Sequence, residues 1–89
     1  MPARYRVEIA PAAQRELSKL PKKVQERIDE RILALAENPR PPGSKKLEGE
    51  VDFQRIRVGD YRIIYQVKDK ELLVLVVRIG NRREVYRSR

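Results

Sequence analysis

Residues 53–62 read Phe-Gln-Arg-Ile-Arg-Val-Gly-Asp-Tyr-Arg, and the Gly59-Asp60 pair at their centre constrains the fold more than any other feature. A Gly-Asp pair between two alternating segments predicts a two-residue β-hairpin turn. Such a turn fixes register, setting Val58 opposite Tyr61 and Arg57 opposite Arg62. Because strand side chains alternate, Ile56, Val58, Tyr61, Ile63, Tyr65 and Val67 then share one face, and Arg55, Arg57, Arg62 and Gln66 the other. The apolar set is expected to pack on helices and the basic set to stay open. Like charges directly opposed destabilise a sheet, and Arg55 adds a third guanidinium to the same face. A polyanion bound there would relieve the repulsion.

The remaining elements follow from periodicity and punctuation. Tyr5, Val7 and Ile9 alternate with Arg4, Arg6 and Glu8, the pattern of a half-buried strand, and Pro11 stops it. Ala13, Leu17 and Leu20 after that proline predict a short helix over about 11–19, since proline suits a helix's first turn. Pro21 opens a second helix over 22–37, in which Val24, Ile28, Ile32, Leu35 and Ala36 form one apolar stripe. Asn38-Pro39 ends it, and residues 38–46 read as a turn-rich loop closed by Lys45 and Lys46, a pair as suited to plain solvation as to phosphate contact. Three strands follow, at about 52–58, 61–68 and 72–79, most simply joined as a meander. In the last, Leu-Leu-Val-Leu-Val-Val-Arg-Ile is apolar in both phases. The expectation is Leu73, Leu75, Val77 and Ile79 inward, leaving Leu72, Val74 and Val76 partly exposed as a possible partner surface. The fold class is therefore α+β: a single small domain over 1–89 with an N-terminal strand, a two-helix hairpin and a three-stranded antiparallel meander, about four strands in all.

Charge then narrows the function. With 21 Lys+Arg against 13 Asp+Glu, the 89-residue chain carries a net charge of +8. Residues 1–38 hold 8 basic and 6 acidic side chains and residues 39–89 hold 13 and 7, so the positive field belongs mainly to the second half. An anionic partner is implied. Arg82 and Tyr86 in Ile-Gly-Asn-Arg-Arg-Glu-Val-Tyr add a cation and a phenol to the hairpin arginines, and this combination makes RNA the first ligand to consider. There is no cysteine and no histidine. Disulfide and thiolate chemistry, imidazole acid–base catalysis and the usual zinc sites are thereby excluded, leaving Arg, Lys, Tyr and carboxylates for any catalysis. No metal or cofactor is called for. No signal peptide or long apolar run occurs, so a cytoplasmic location without membrane contact is expected.

Taken in order, the N-terminal strand, helical hairpin, proline-rich loop, Lys-Lys-Leu-Glu-Gly, Gly-Asp-Tyr-Arg-Ile-Ile-Tyr and closing Gly-x-Arg-x-x-x-Tyr resemble the RelE/ParE superfamily of toxins from type II toxin–antitoxin modules. The likeness covers nearly the whole chain, and the closing pattern is similar to the RelE branch of messenger-RNA endonucleases. That resemblance implies a RelE-like microbial ribonuclease-type fold, cleavage of mRNA on the ribosome, and a cognate antitoxin as partner. It places Arg55, Arg57, Arg62, Arg82 and Tyr86 at active-site positions; of these Arg57, Arg62, Arg82 and Tyr86 are the catalytic candidates and Arg55 an RNA-binding one, to which the position of Lys45 and Lys46 adds two further RNA-binding candidates. Where some relatives carry lysines on the first active-site strand this chain has Arg55 and Arg57, which are poor general bases, so Tyr86 gains weight as the base or as a stacking platform. Two other classes share a basic surface: a ParE-like toxin acting on DNA gyrase, and a non-catalytic nucleic-acid-binding domain.

Overall fold

In a computed structural model, which describes residues 4–49 and 52–81, a five-stranded sheet carries two helices on one face. Strand β1 (Arg6–Ile9) leads into α1 (Pro11–Ser18) and α2 (Lys22–Ala34); β2 (Lys45–Lys46), β3 (Phe53–Val58), β4 (Tyr61–Lys68) and β5 (Leu73–Asn81) follow. The strand order is β1-β5-β4-β3-β2. Pro11 enters α1 at its first turn, and Pro21 directly precedes α2, as the sequence suggested. The Gln25 side chain fastens the short connection between them, donating to the Leu20 carbonyl at 2.8 Å. After Ala34 the chain continues in tight turns through Glu37, so α2 is slightly shorter than its apolar stripe.

The meander is as expected, but the sheet is larger and mixed. Lys45 and Lys46, read as the end of a loop, pair antiparallel with Arg55 and Gln54 and add an edge strand. Strand β1 runs parallel to β5, pairing Val7 with Val74 and Ile9 with Val76. A strand at one end of the chain pairing with one at the other is a non-local contact that local punctuation does not announce.

The core forms between the helices and the sheet. Ala13, Ile28, Ile32 and Leu35 meet Ile56, Val58, Ile63, Tyr65 and Val67, so the face assignment drawn from the hairpin holds. Tyr65 is wholly buried and its hydroxyl donates to the Pro39 carbonyl at 2.7 Å, which ties the proline-rich loop to the core. The inward face of β5 differs from expectation. Val74, Val76 and Ile79 are the inward residues, each wholly buried; Leu75 and Val77 are half-buried on other aspects of the strand, and Leu73 is buried without joining the helix-side cluster. Two features cause the change. Asp69–Glu71 form a single 3-10 turn and Leu72 takes a left-handed φ of +51°, so Lys68 pairs with Leu73 and Val74 comes to face the helices. A β-bulge then follows: Ile64 pairs with Arg78 but Tyr65 with Val76, leaving Val77 as the extra residue and returning Ile79 to the core. Of the three residues expected to be partly exposed, only Leu72 is.

Candidate nucleic-acid interface

The β3–β4 turn is the two-residue turn expected, with Gly59 at φ +61°, a left-handed conformation that glycine adopts without steric cost. Register follows from it: Val58 pairs with Tyr61, Arg57 with Arg62, Ile56 with Ile63 and Arg55 with Ile64. Arg55, Arg57 and Arg62 therefore lie on the sheet face opposite the helices. Lys45 joins them through its pairing with Arg55 across the β2–β3 ladder. Lys46 pairs instead with Gln54, on the alternate side of the pleat, where it faces the Asp52 carboxylate and helps to lower that group's pKa. The structure thus gathers three arginines and one of the two lysines.

Depth divides these cations in a way the sequence did not suggest. Arg57 is exposed, whereas Arg55 and Arg62 retain only 8% and 7% of their accessible surface. A basic face expected to be simply open in fact holds two of its three arginines buried. Arg55 Nε is buried with no hydrogen-bond acceptor among the described residues. Buried polar groups in native proteins are nearly always satisfied, and an unsatisfied one marks a place where a ligand or solvent acceptor belongs. Arg55 and Arg57 also take part in none of the ion pairs found among the described residues, which engage Arg6, Arg40 and Arg78. Across from Arg62 on β5 stands Gly80, which has no side chain to crowd the guanidinium. Asn81 pairs with Tyr61 at the turn end of the sheet, so β5 ends beside the arginines. Arg82 and Tyr86 lie outside the described residues.

Two charged clusters that the sequence reading did not single out hold this face in place. At one end, the Arg40 guanidinium bridges Asp52 at the start of β3 and Asp69 in the 3-10 turn, with Nη2 2.9 Å from Asp69 Oδ2. The Tyr5 hydroxyl donates to Asp69 Oδ1 at 2.5 Å. These bonds from Arg40 and then Tyr5 hold the Asp69 carboxyl below the usual carboxylate range. For Asp52, burial pushes upward, but hydrogen bonds from Gln54 and Arg40 outweigh it and the net shift is downward. At the other end, Glu16 of α1 accepts from Arg78 Nη2 and from the Ile79 amide, each at 2.8 Å. Arg40 lies 12 residues from Asp52 and 29 from Asp69, Tyr5 lies 64 from Asp69 and Glu16 lies 62 from Arg78, so no local pattern could have paired them.

A small α+β domain whose sheet, on the face that carries no helix among the described residues, gathers Arg55, Arg57 and Arg62 is a scaffold for a phosphate backbone. Sequence and structure comparisons place it in a family. Residues 7–86 match the model of the ParE toxin of the type II toxin–antitoxin system parDE. An Escherichia coli RelE-like toxin protein is 36% identical over 81 residues, covering 89% of this chain and 84% of the relative. The mRNA interferase toxin RelE of Escherichia coli (strain K12) is 33% identical over 86 residues, covering 92% and 90%. Among solved structures, the archaeal RelE–RelB complex from Pyrococcus horikoshii OT3 superimposes with a TM-score of 0.80 at 35% identity, covering 88% of this chain and 94% of that one. The chain belongs to the RelE/ParE superfamily of type II toxin–antitoxin toxins.

Proposed function

We propose that the chain is a toxin of the RelE kind, a metal-independent endoribonuclease that cleaves messenger RNA. The observation that carries this reading is the opposed Arg57–Arg62 pair, with the buried Arg55 and with Lys45, on a sheet face that carries no helix among the described residues. RNA can be cut without metal or imidazole when the ribose 2′-OH attacks the adjacent phosphorus. The P–O5′ bond then breaks, giving a 2′,3′-cyclic phosphate and a 5′-hydroxyl. Negative charge grows on the non-bridging oxygens and on O5′, and fixed guanidinium groups stabilise both while the scissile bond breaks.

In this scheme Arg57 and Arg62 hold the scissile phosphate and Arg55 with Lys45 holds the neighbouring backbone. Lys46, placed on the alternate side of the pleat, makes at most a peripheral contact. Arg82 stabilises the negative charge on the leaving O5′, which takes its proton from solvent, and Tyr86 as phenolate takes the 2′-OH proton. A small domain of this kind does not by itself impose in-line geometry on a flexible strand. The ribosome is the natural source of that geometry, because orientation alone contributes about 7–11 kcal/mol in favourable cases. A cognate antitoxin, as in the RelE–RelB complexes of the structural relatives, covers the basic face in the cell, and the site of action is the cytoplasm.

Single-turnover cleavage of ribosome-bound message tests this reading. Arg62→Ala, Arg82→Ala and Tyr86→Phe are each expected to slow the cleavage step more than they weaken RNA binding, since their strongest contacts form in the transition state. A 2′-deoxy substitution at the cleaved nucleotide should abolish the reaction, and chelators should not affect it. Full activity in all three variants would overturn the site. Inhibition of gyrase supercoiling without new RNA ends would assign the chain to the ParE activity.

A further inference from the structure

We infer that Glu16 is a positioning residue for the RNA-cleaving site, acting through the end of β5. The inference rests on the proposed function for its activity readout and on the fold for its geometry. Strand β1 accompanies β5 only as far as the pairing of Ile9 with Val76. Beyond that point no strand among the described residues lies beside the β5 edge, and its outward backbone groups need other partners. The chain itself supplies them, since β1 passes directly into α1, which lies along the vacated edge. The Ala10 amide donates to the Val76 carbonyl at 2.8 Å, and two turns later Glu16 Oε1 accepts the Ile79 amide at 2.8 Å. One carboxylate thus continues the ladder where the strand has ended.

The same carboxylate grips Arg78. Nε and Nη2 reach Oε2 at 3.0 and 2.8 Å, so the guanidinium is held side-on by a charge-assisted pair. Arg78 follows the bulged Val77, and bulges re-aim the side chains next to them. Bulge, ion pair and amide contact fall within three residues, immediately before Gly80, which pairs with Arg62, and Asn81, which pairs with Tyr61. The consequence is that α1, which supplies none of the arginines of the basic face, sets where the end of β5 lies relative to Arg62. Without Glu16 the Ile79 amide would lose its acceptor and Arg78 its two-point hold on Oε2, and the Arg62–Gly80 register would fray.

The experiment compares wild type, Glu16→Gln and Glu16→Ala. Glutamine keeps an oxygen for the Ile79 amide and removes the charge; alanine removes both. The expected result is a single-turnover cleavage rate on ribosome-bound message that falls about 10- to 100-fold for Glu16→Ala, as small misplacements of catalytic groups do. The Gln variant should lie between, and the concentration of message giving half-maximal rate should change by less than about threefold. In parallel, amide hydrogen exchange should accelerate at Ile79, Gly80, Asn81 and Arg62 in Glu16→Ala, with Ile63 and Val74 protected as in wild type. A purely structural role would lower the active fraction and loosen the core amides alike without slowing the enzyme that remains folded. Wild-type exchange at the β5 end in both variants would overturn the inference whatever the activity. Absence of cleavage by wild type would overturn the nuclease reading alone, because the exchange pattern decides the positioning role without it.

Discussion

Replacing Arg57 by glutamine should make the protein more stable and less active. Arg57 and Arg62 are paired across the β3–β4 ladder, and directly opposed like charges cost a sheet from a few tenths to about 1 kcal/mol. The two arginines are not equivalent as targets. Arg62 is nearly buried, so shortening it also removes packing around its stem, whereas Arg57 is exposed and its replacement removes mainly charge. Exposure places the gain for Arg57→Gln in the lower part of that range, about 0.2–0.6 kcal/mol. In a domain of this size 1 kcal/mol corresponds to about 4–8 °C in Tm, so an increase of about 1–5 °C is expected at low ionic strength. Between about 10 mM and about 1 M salt the Debye length falls from about 30 Å to about 3 Å, and the difference from wild type should vanish over that range. Thermal melts at both salt concentrations, with message cleavage measured on the same preparations, supply the check. A lower Tm for Arg57→Gln in dilute buffer, or a gain insensitive to salt, would refute the account of the hairpin as a stressed anion site.

Removal of the Tyr65 hydroxyl in Tyr65→Phe should cost about 1–2 kcal/mol in urea denaturation, because it leaves the buried Pro39 carbonyl without its donor. Burial pushes the Tyr65 phenol up to about 12, above an ordinary value near 10, so the folded state holds the proton more tightly. Its contribution is complete below about pH 10 and is lost as pH rises toward about 12, and alkaline melts of wild type should fall more steeply in that window than those of Tyr65→Phe. Arg40→Ala releases Asp52 and Asp69, whose pKa values are lowered in the folded state; wild type should lose stability as pH falls below the ordinary carboxylate value of 3.8, and the variant should show a shallower acid limb. Gly59→Ala, at φ +61°, should cost about 1 kcal/mol and leave the unfolding slope in urea unchanged.

Legibility in the sequence followed locality. The Gly59-Asp60 turn specifies its own register, and from that register the inward and outward sets of β3 and β4, including the Arg57–Arg62 opposition, could be read directly. The helices were readable because prolines mark their starts and Ile28, Ile32 and Leu35 repeat at helical spacing. Strand β5 was readable as a strand but its inward face was not, because its apolar residues satisfy either phase and the Val77 bulge carries no glycine to announce it. Strand β2 was missed because two lysines have little intrinsic strand preference and pair only when β3 is already in place. The depth of Arg55 and Arg62 escaped for a different reason: charged residues are rarely buried, so composition argues against the arrangement that the basic face adopts.

The placement of the stabilising contacts explains how a sheet can tolerate that face. Its main apolar packing is on the helix side, where Ile63, Tyr65, Val74, Val76 and Ile79 are wholly buried. Its polar fastenings lie at the ends: the Arg40 cluster joins Tyr5, Asp52 and Asp69 at one, and Glu16 joins Arg78 and Ile79 at the other. Each exposed ion pair among these contributes little alone, but each spans segments far apart in sequence and so limits how the strands can shift past one another. Register is what the basic face requires, since a slip of one residue would send Arg57 and Arg62 to the helix side. Stability supplied from the core, with register held from the two ends, leaves the arginines free to be arranged for an anion rather than for the sheet that carries them.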